Sequence, residues 1–128
     1  MFNSILAISI GASIGAVGRW LLSLWLNKVF LFIPLGTLLA NLVGGYLIGV
    51  AFALFANHPS WPAEWRLLVI TGFLGGLTTF SSFSLEVTQL LVHQQKVLWA
   101  SAVIIFHVIG SLVMTLLGMM TVGLLKNI

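Results

Sequence analysis

The chain consists almost entirely of four consecutive apolar stretches, each long enough to cross a lipid bilayer. They cover residues 4–26, 33–56, 66–92 and 97–125, and only short linkers separate them. A membrane-crossing helix needs about 20 apolar residues, because each residue rises about 1.5 Å along the helix axis. The sequence therefore predicts an all-α integral membrane protein with four transmembrane helices.

The composition excludes several other classes of protein. Hydrophobic residues make up 60% of the 128 positions, and only five basic and two acidic side chains are present. A soluble domain of this length would need far more polar surface. The basic residues stand singly, so nucleic-acid binding is unsupported, and the absence of cysteine excludes disulfides and thiol chemistry.

The organisation of the chain is simple. No positively charged segment precedes the first stretch, which leads into equally apolar stretches, so we expect it to be retained as a span rather than removed as a signal peptide. No second domain or internal repeat is visible. We expect residues 1–128 to form a single transmembrane domain.

The basic residues near the span ends are evenly divided between the two sides of the membrane. Arg66 and Lys126 lie on the same side as the N-terminus, and Lys28 and Lys96 lie on the other. The excess of Lys and Arg in cytoplasmic loops normally sets orientation, and here there is none. The chain could insert in both orientations and pair antiparallel with itself, or the balance could be accidental.

The third stretch contains a polar interruption. Residues 71–84 place the Gly75-Gly76 pair, a run of threonine and serine hydroxyls, Phe80 and Phe83 at membrane depth. Interrupted backbone survives there only where protein or a watery cavity covers it. We expect the helix to break at Gly75-Gly76, where freed carbonyls suit a cation and the next half-helix suits an anion. The functional region is predicted within residues 71–86.

Small residues recur every fourth position on the first two stretches. The two stripes are Ala7, Gly11, Gly15 and Arg19, and Thr37, Asn41, Gly45 and Gly49. Small residues let helices approach closely in lipid, so helix packing is the predicted role of most of these glycines.

Several polar residues are candidates for lining a path. His107, Ser111 and Thr115 share one helix face, although each hydroxyl could instead bond its own helix. The Asn41 amide needs partners, either as a link between helices or as a donor to a permeating species. Arg19 could extend to the interface or attract anions.

The aromatic and acidic candidates also have two interpretations. Phe80 and Phe83 could be packing residues, or their electropositive ring edges could contact a small anion. Glu86, one turn beyond the serines, could bond to hydroxyls, change its protonation or lie near an exit.

Three segments, residues 36–44, residues 71–84 and Gly110-Ser111, resemble the Fluc (CrcB-type) fluoride channels, and the resemblance covers essentially the whole chain. It implies an antiparallel, dual-topology homodimer in the bacterial inner membrane. Two oppositely oriented pores would export toxic cytoplasmic fluoride passively and with selectivity over chloride.

The resemblance also implies site residues. Phe80 and Phe83 would form an aromatic box, Arg19 would lie toward a vestibule, and main-chain oxygens of Gly75 and Thr78 from both subunits would hold one structural sodium ion. The fluoride path would include Asn41, Phe80, Ser81, Ser82, Phe83, Ser84, Glu86, His107, Ser111 and Thr115. Ser82 and His107 depart from the usual family pattern, which has threonine and asparagine or tyrosine there.

Two other functions remain open on the sequence alone. A small proton-coupled multidrug exporter needs a titratable carboxylate at midplane, for which Glu86 is the only candidate. A non-transporting helical scaffold would carry no ions. An enzyme is the least supported class, because two Glu and three dispersed His form no carboxylate pair, metal cluster or activated nucleophile.

Overall fold

The computed structural model describes residues 1–127 and places them in four long helices. These are α1 (Phe2–Leu26), α2 (Leu35–Asn57), α3 (Ala63–Val92) and α4 (Val97–Lys126). Each is long and apolar enough to cross a membrane, which confirms the predicted all-helical, multi-pass architecture. The largest difference from the predicted bounds is the start of α3, at residue 63 rather than 66.

Helix α3 is interrupted near its middle, as predicted. Its first half runs from Ala63–Arg66 through a π-helical segment, Leu67–Leu74, to Gly75–Leu77, and its second half is Ser81–Val92. Thr78 leaves the helix with an extended backbone, φ −86° and ψ 155°. The predicted position of the break is wrong, because Gly75 and Gly76 remain helical and the chain departs only after Leu77.

Contact with α1 gives a physical reason why Gly76 stays helical, because a Cβ at this position would crowd the Ala12 carbonyl oxygen. A Cβ atom on Gly11 would overlap the carbonyl oxygen of Leu68, and one on Gly15 would overlap that of Phe73. On the facing helix, a Cβ on Gly72 would lie 2.8 Å from the Ile8 carbonyl oxygen. The two backbones are thus in direct contact, and the small-residue stripe of α1 has the packing role predicted for it.

Helices α2 and α4 are joined by a second contact of the same kind. A Cβ on Gly49 would overlap the Thr115 carbonyl oxygen, and one on Gly118 would overlap that of Tyr46. Further along, the Tyr46 hydroxyl donates to Thr121 Oγ1 at 2.9 Å. The molecule therefore contains two glycine-mediated helix pairs, α1 with the first half of α3 and α2 with α4.

Two apolar clusters complete the packing. One lies between α2 and the first half of α3 and contains Ala40, Ala51, Phe55, Leu74 and Leu77. The other joins the loop before α2, the second half of α3 and α4, and contains Ile33, Phe83, Val87, Leu90, Ala100 and Val103. The two halves of α3 belong to different clusters, and the break at residues 78–80 lies between them.

Candidate functional site

The backbone of the break is held by the side chain of Asn41. Asn41 Oδ1 accepts a hydrogen bond from the Thr79 N–H at 2.8 Å, and Asn41 Nδ2 donates to the Thr79 carbonyl at 2.9 Å. A side-chain amide has the same donor and acceptor as a peptide group. Asn41 therefore replaces the helical partners that Thr79 loses where α3 is interrupted.

The same amide orients the ring of His107. Asn41 Nδ2 lies 2.9 Å from His107 Nδ1. The Thr79 N–H can only donate and its carbonyl can only accept, which identifies the nitrogen end of the Asn41 amide. Nδ1 of His107 must then accept, so the neutral ring carries its proton on Nε2. His107 is only 4% exposed, and its Nε2 has no hydrogen-bond partner among residues 1–127.

A pair of phenylalanine rings lies beside this histidine, with Phe83 against the imidazole and Phe80 against Phe83. The Phe80 and Phe83 centroids are 5.5 Å apart with their planes at 62°, an edge-to-face arrangement. The Phe83 and His107 centroids are 4.7 Å apart. Phe83 is buried at 7% exposure, whereas Phe80, just before the second half of α3, is 77% exposed. The pair thus extends from the interior to an open surface.

These groups line one open groove of about 610 Å³ between α2, α3 and α4. It brings together seven of the predicted site residues: Asn41, Gly75, Thr78, Phe80, Phe83, His107 and Ser111. No Asp, Glu, Lys or Arg is among the described residues that line it, and its one histidine, His107, is the neutral ring described above. The groove therefore offers neutral dipoles and aromatic rings rather than formal charge.

Other predicted site residues do not line the groove, and many of their hydroxyls are bonded elsewhere. Ser84 Oγ donates to the Phe80 carbonyl at 2.9 Å, as expected for a hydroxyl that bonds its own helix. Thr115 Oγ1 lies 2.9 Å from both the Gly45 and Ser111 carbonyls. Ser81, Ser82, Ser84, Thr115, Glu86 and Arg19 all lie outside the groove lining.

Thr79 has a role that the sequence reasoning missed. Its Oγ1 accepts from the Ser82 N–H at 3.1 Å, which caps the second half of α3, and it lies 3.3 Å from Ser81 Oγ. A threonine three residues before a free helical N–H is a common N-terminal cap. The threonine is visible in the sequence, but it can be recognised as a cap only when the helix is known to start at residue 81.

Glu86 takes part in a hydrogen-bonded chain away from the groove. Thr37 Oγ1 donates to Glu86 Oε1 at 2.6 Å, and the Thr37 N–H donates to Asn27 Oδ1 at 3.1 Å. Thr37 is 2% exposed, and Glu86 Oε2 is buried without a hydrogen-bond partner among the described residues. Asn27 and Thr37 were not predicted as site residues, since their contacts join different helices.

Arg19 reaches the end of the first half of α3. Its Nε donates to the Gly76 carbonyl at 3.1 Å. Because the helix ends at Leu77, that carbonyl is one of the groups that lose their helical partners. Arg19 thus stabilises the interrupted end of the helix. Neither sequence interpretation of this residue identified the Gly76 carbonyl as its partner.

The described residues contain no group of three or more His, Cys, Asp or Glu side chains placed to hold a metal ion. A cation at this site would therefore be bound by neutral oxygen atoms, among which main-chain carbonyls are ligands that hard cations accept. Gly75 and Thr78, the two positions predicted for such a role, both line the groove.

Comparison with known proteins gives consistent matches along almost the whole chain. The family model described as "CrcB-like protein, Camphor Resistance (CrcB)" matches residues 6–119. A Tolumonas auensis protein is 68% identical over 127 residues, which is 99% of each chain. Relatives from Pseudomonas aeruginosa and Desulfovibrio desulfuricans are 58% and 57% identical, covering 96% and 99% of this chain and 96% and 98% of their own. All three are named fluoride-specific ion channel FluC.

Proposed function

Because this chain belongs to the CrcB-like family, we propose that it is a fluoride-selective passive ion channel that lets toxic fluoride leave the cytoplasm. The observation that carries the proposal is the groove that Asn41, Phe80, Phe83, His107 and Ser111 share. It joins the polar and aromatic groups that a small anion needs, and its described lining has no fixed charge to trap the ion.

Fluoride is a strongly hydrated anion, so a path through lipid must replace its water. The His107 Nε2–H, the Ser111 hydroxyl and the electropositive ring edges of Phe80 and Phe83 supply that replacement. Neutral donors bind the anion well enough for entry and weakly enough for release. Once a second copy closes the groove, a narrow space between aromatic rings would exclude the larger chloride ion.

In this path Asn41 acts mainly as a positioning residue. Both of its N–H groups are engaged, by the Thr79 carbonyl and by His107 Nδ1. It can donate to fluoride only when one of these contacts is exchanged. Its bond to Nδ1 ensures that His107 presents a donor, and not a lone pair, at Nε2.

We propose that the working channel is an antiparallel homodimer. The groove is open on one side, and an exposed Phe80 ring stands at its edge, so one chain alone does not enclose a path. An inverted second copy would close both grooves and give two oppositely oriented pores. The even division of basic residues, Arg66 and Lys126 at one end and Lys28 and Lys96 at the other, supports insertion in both orientations.

We also propose that a structural sodium ion binds at the open side of the groove. Gly75 is exposed there, and a Cβ at this position would have no neighbour closer than the Ile70 carbonyl oxygen at 3.7 Å. The helix ends two residues later, so carbonyls near Gly75 and Thr78 lack their usual helical partners. Two such oxygens from each copy would provide an all-oxygen site for a hard cation.

The remaining predicted residues have roles at one end of the path or in supporting its backbone. Arg19 and Glu86 both lie between the break and the end of the molecule that carries Lys28 and Lys96. We assign them to the vestibule at that end, where a cation attracts fluoride and Glu86 holds α2 and α3 together through Thr37. Ser81, Ser82, Ser84 and Thr115 chiefly support the backbone around the path.

The proposed location is the inner membrane of a bacterium. The four apolar helices make the chain a multi-pass membrane protein, and the relatives named above are bacterial. Export of a toxic anion by a passive channel requires a membrane that separates the cytoplasm from the outside.

Fluoride efflux from liposomes that contain the purified protein tests the proposal, with chloride as the competing ion. Wild-type protein should release fluoride and retain chloride, and Phe80→Ile or Phe83→Ile should reduce fluoride flux at least tenfold. Phe106→Ile is the matched control, because Phe106 is an exposed residue of α4 that does not line the groove. Undiminished, selective flux in both groove variants would remove the rings from the mechanism.

A proton-coupled exporter is not favoured by the site. Its only candidate carboxylate, Glu86, bonds Thr37 and does not line the groove. Proton-dependent transport of organic cations that disappears in Glu86→Gln would reverse this conclusion.

A further inference from the structure

We propose that the groove between the C-terminal end of α2 and the first half of α3 binds one anionic phospholipid. This second groove has a volume of about 540 Å³ and is separate from the aromatic pair of the fluoride path. It is lined by Leu47, Val50, Ala51, Leu54, Phe55, Trp61, Pro62, Trp65, Val69, Phe73 and Leu74. Its lining side chains are therefore apolar or aromatic throughout.

The length of this groove matches the depth of one lipid leaflet. On α2 the lining extends from Leu47 to Phe55, a distance of about 12 Å at 1.5 Å per helical residue. A leaflet is about 15 Å deep, half of a hydrocarbon core of about 30 Å. One acyl chain can therefore lie along the groove from the interface toward the bilayer centre.

The mouth of the groove has the features of a headgroup site. The Arg66 guanidinium carbon lies 5.6 Å from the centre of the Phe55 ring, and Lys126 Nζ lies 3.5 Å from Asn57 Oδ1. Both cations flank the groove at this end without lining it, and Glu64, at the same end of α3, does not line it either. Basic pockets between transmembrane helices bind anionic headgroups, and each cation contributes to the attraction.

Tryptophans mark this mouth as the level of the membrane interface. Trp61 stacks on His58 at 4.3 Å between ring centroids and meets the Phe55 ring edge-on at 5.5 Å. Trp61 and Trp65 are both exposed, and an indole N–H can donate to a lipid phosphate or ester oxygen. The apolar wall of the groove thus ends at two indole donors, with the Arg66 cation beside Phe55 at the same end.

A second copy of the chain is a poorer occupant of this groove than a lipid. A parallel copy would bring another Arg66 and Lys126 to the mouth, so that like charges would meet, whereas the phosphate of a lipid has the complementary sign. The antiparallel copy proposed above closes the other groove, which Gly75 and Thr78 line.

Native mass spectrometry of the detergent-purified protein tests this site, with phosphatidylglycerol or phosphatidylcholine added to the micelles. Wild-type protein should retain one phosphatidylglycerol per chain in preference to phosphatidylcholine. Arg66→Gln should lower that retention about fivefold, the effect of losing one interfacial cation. Lys96→Gln is the matched control, because Lys96 also lies over an aromatic ring, 5.3 Å from the centre of Phe32, but at the opposite end.

A second variant fills the groove itself. Leu54→Trp adds a large ring at an exposed position of the groove wall and should abolish lipid retention, whereas Leu116→Trp, on an exposed α4 position outside the groove, should not. Equal retention of both lipids, or unchanged retention in Arg66→Gln and Leu54→Trp, would overturn the proposal. Separation of a dimer into monomers by Leu54→Trp would also overturn it, because the groove would then be an interface between copies.

Discussion

The two halves of α3 are attached to the rest of the molecule in different ways. The first half lies backbone to backbone against α1, through Gly11, Gly15 and their partners Gly72 and Gly76. The second half, Ser81–Val92, is held by side chains that pack against α4 and by the hydrogen bond that Thr37 of α2 donates to Glu86. Close backbone contact leaves no room for an added atom, whereas side-chain contacts can be exchanged one at a time. The aromatic residues of the groove thus belong to the part of α3 whose attachments are adjustable.

The largest effect is expected from Gly15→Ala, which tests the backbone contact of the first half. The new Cβ would overlap the Phe73 carbonyl oxygen, a main-chain atom that cannot rotate away. We expect the free energy of unfolding to fall by about 3 kcal/mol, as for severe overpacking. Denaturant titration in detergent micelles, followed by circular dichroism, measures it.

Gly18→Ala is the matched control on the same helix. Its Cβ would meet only Leu77 Cδ1, at 3.8 Å. Here we expect no loss, and up to about 1 kcal/mol of gain from the better helix propensity of alanine. Equal stabilities for the two variants would contradict the close contact between α1 and α3.

A smaller loss is expected from Asn41→Ala, which removes the support of the break. Three hydrogen bonds disappear, two to Thr79 and one to His107. At about 0.6 kcal/mol for each bond inside a membrane, the loss is about 2 kcal/mol. Fluoride flux should also fall, because His107 loses the hydrogen bond that orients its ring.

The control for this variant is Asn57→Ala, which removes only an exposed contact of 3.5 Å with Lys126. Stability and flux should both remain within error of wild type there. If Asn41→Ala behaves like this control, the break does not depend on the amide and the proposed positioning role is wrong.

Thr37→Val should have a moderate effect, chiefly on the second half of α3. It removes the 2.6 Å hydrogen bond to Glu86 and the 3.4 Å contact with Asn27 Nδ2 while keeping nearly the same side-chain volume. We expect a loss of about 1 kcal/mol, within the range measured for hydrogen bonds between membrane helices. Thr88→Val, whose hydroxyl bonds its own helix at Ser84, is the comparison and should change little. A larger loss in Thr88→Val would show that Thr37 does not link α2 to α3.

The smallest effect is expected from Ser84→Ala. Its hydroxyl donates to the Phe80 carbonyl and does not line the groove, so stability should change by less than about 0.5 kcal/mol. Fluoride flux in liposomes should stay at the wild-type level. Ser111→Ala, which removes a hydroxyl of the groove, should reduce that flux. Reversal of this order would place the fluoride path along the serines of α3 instead.

The four spans and the glycine contacts could be predicted from the sequence because they depend on local properties. Apolar length gives a span, and small residues at every fourth position give a close helix pair. Gly11 and Gly15 have the packing role that this rule assigns to them.

The position of the break could not be predicted in this way. Glycines weaken a helix, and this favoured Gly75-Gly76 over the residues that follow. In the structure Gly76 is required at its contact with Ala12 of α1, so it stays helical. The interruption lies instead where Asn41 supplies hydrogen bonds to Thr79. That partner is 38 residues away along the chain, and no local pattern indicates it.

The same reason explains the other residues that were missed. Asn27 stands in a linker in the sequence, yet its Oδ1 accepts from the Thr37 N–H near the start of α2. Arg19 bonds the Gly76 carbonyl, 57 residues further along the chain. Contacts between distant residues depend on how the helices are placed, which a single sequence does not specify.

The hydrogen bond between Asn41 and His107 limits proton transfer through the imidazole ring. An imidazole relays protons by taking one up at one nitrogen and releasing another from the opposite side of the ring. In this groove Nδ1 is occupied by an amide that neither gains nor loses a proton near neutral pH. The ring can offer a hydrogen bond to a passing anion, but it cannot serve as a link in a proton wire. An anion that passes this ring would therefore not draw a proton through it.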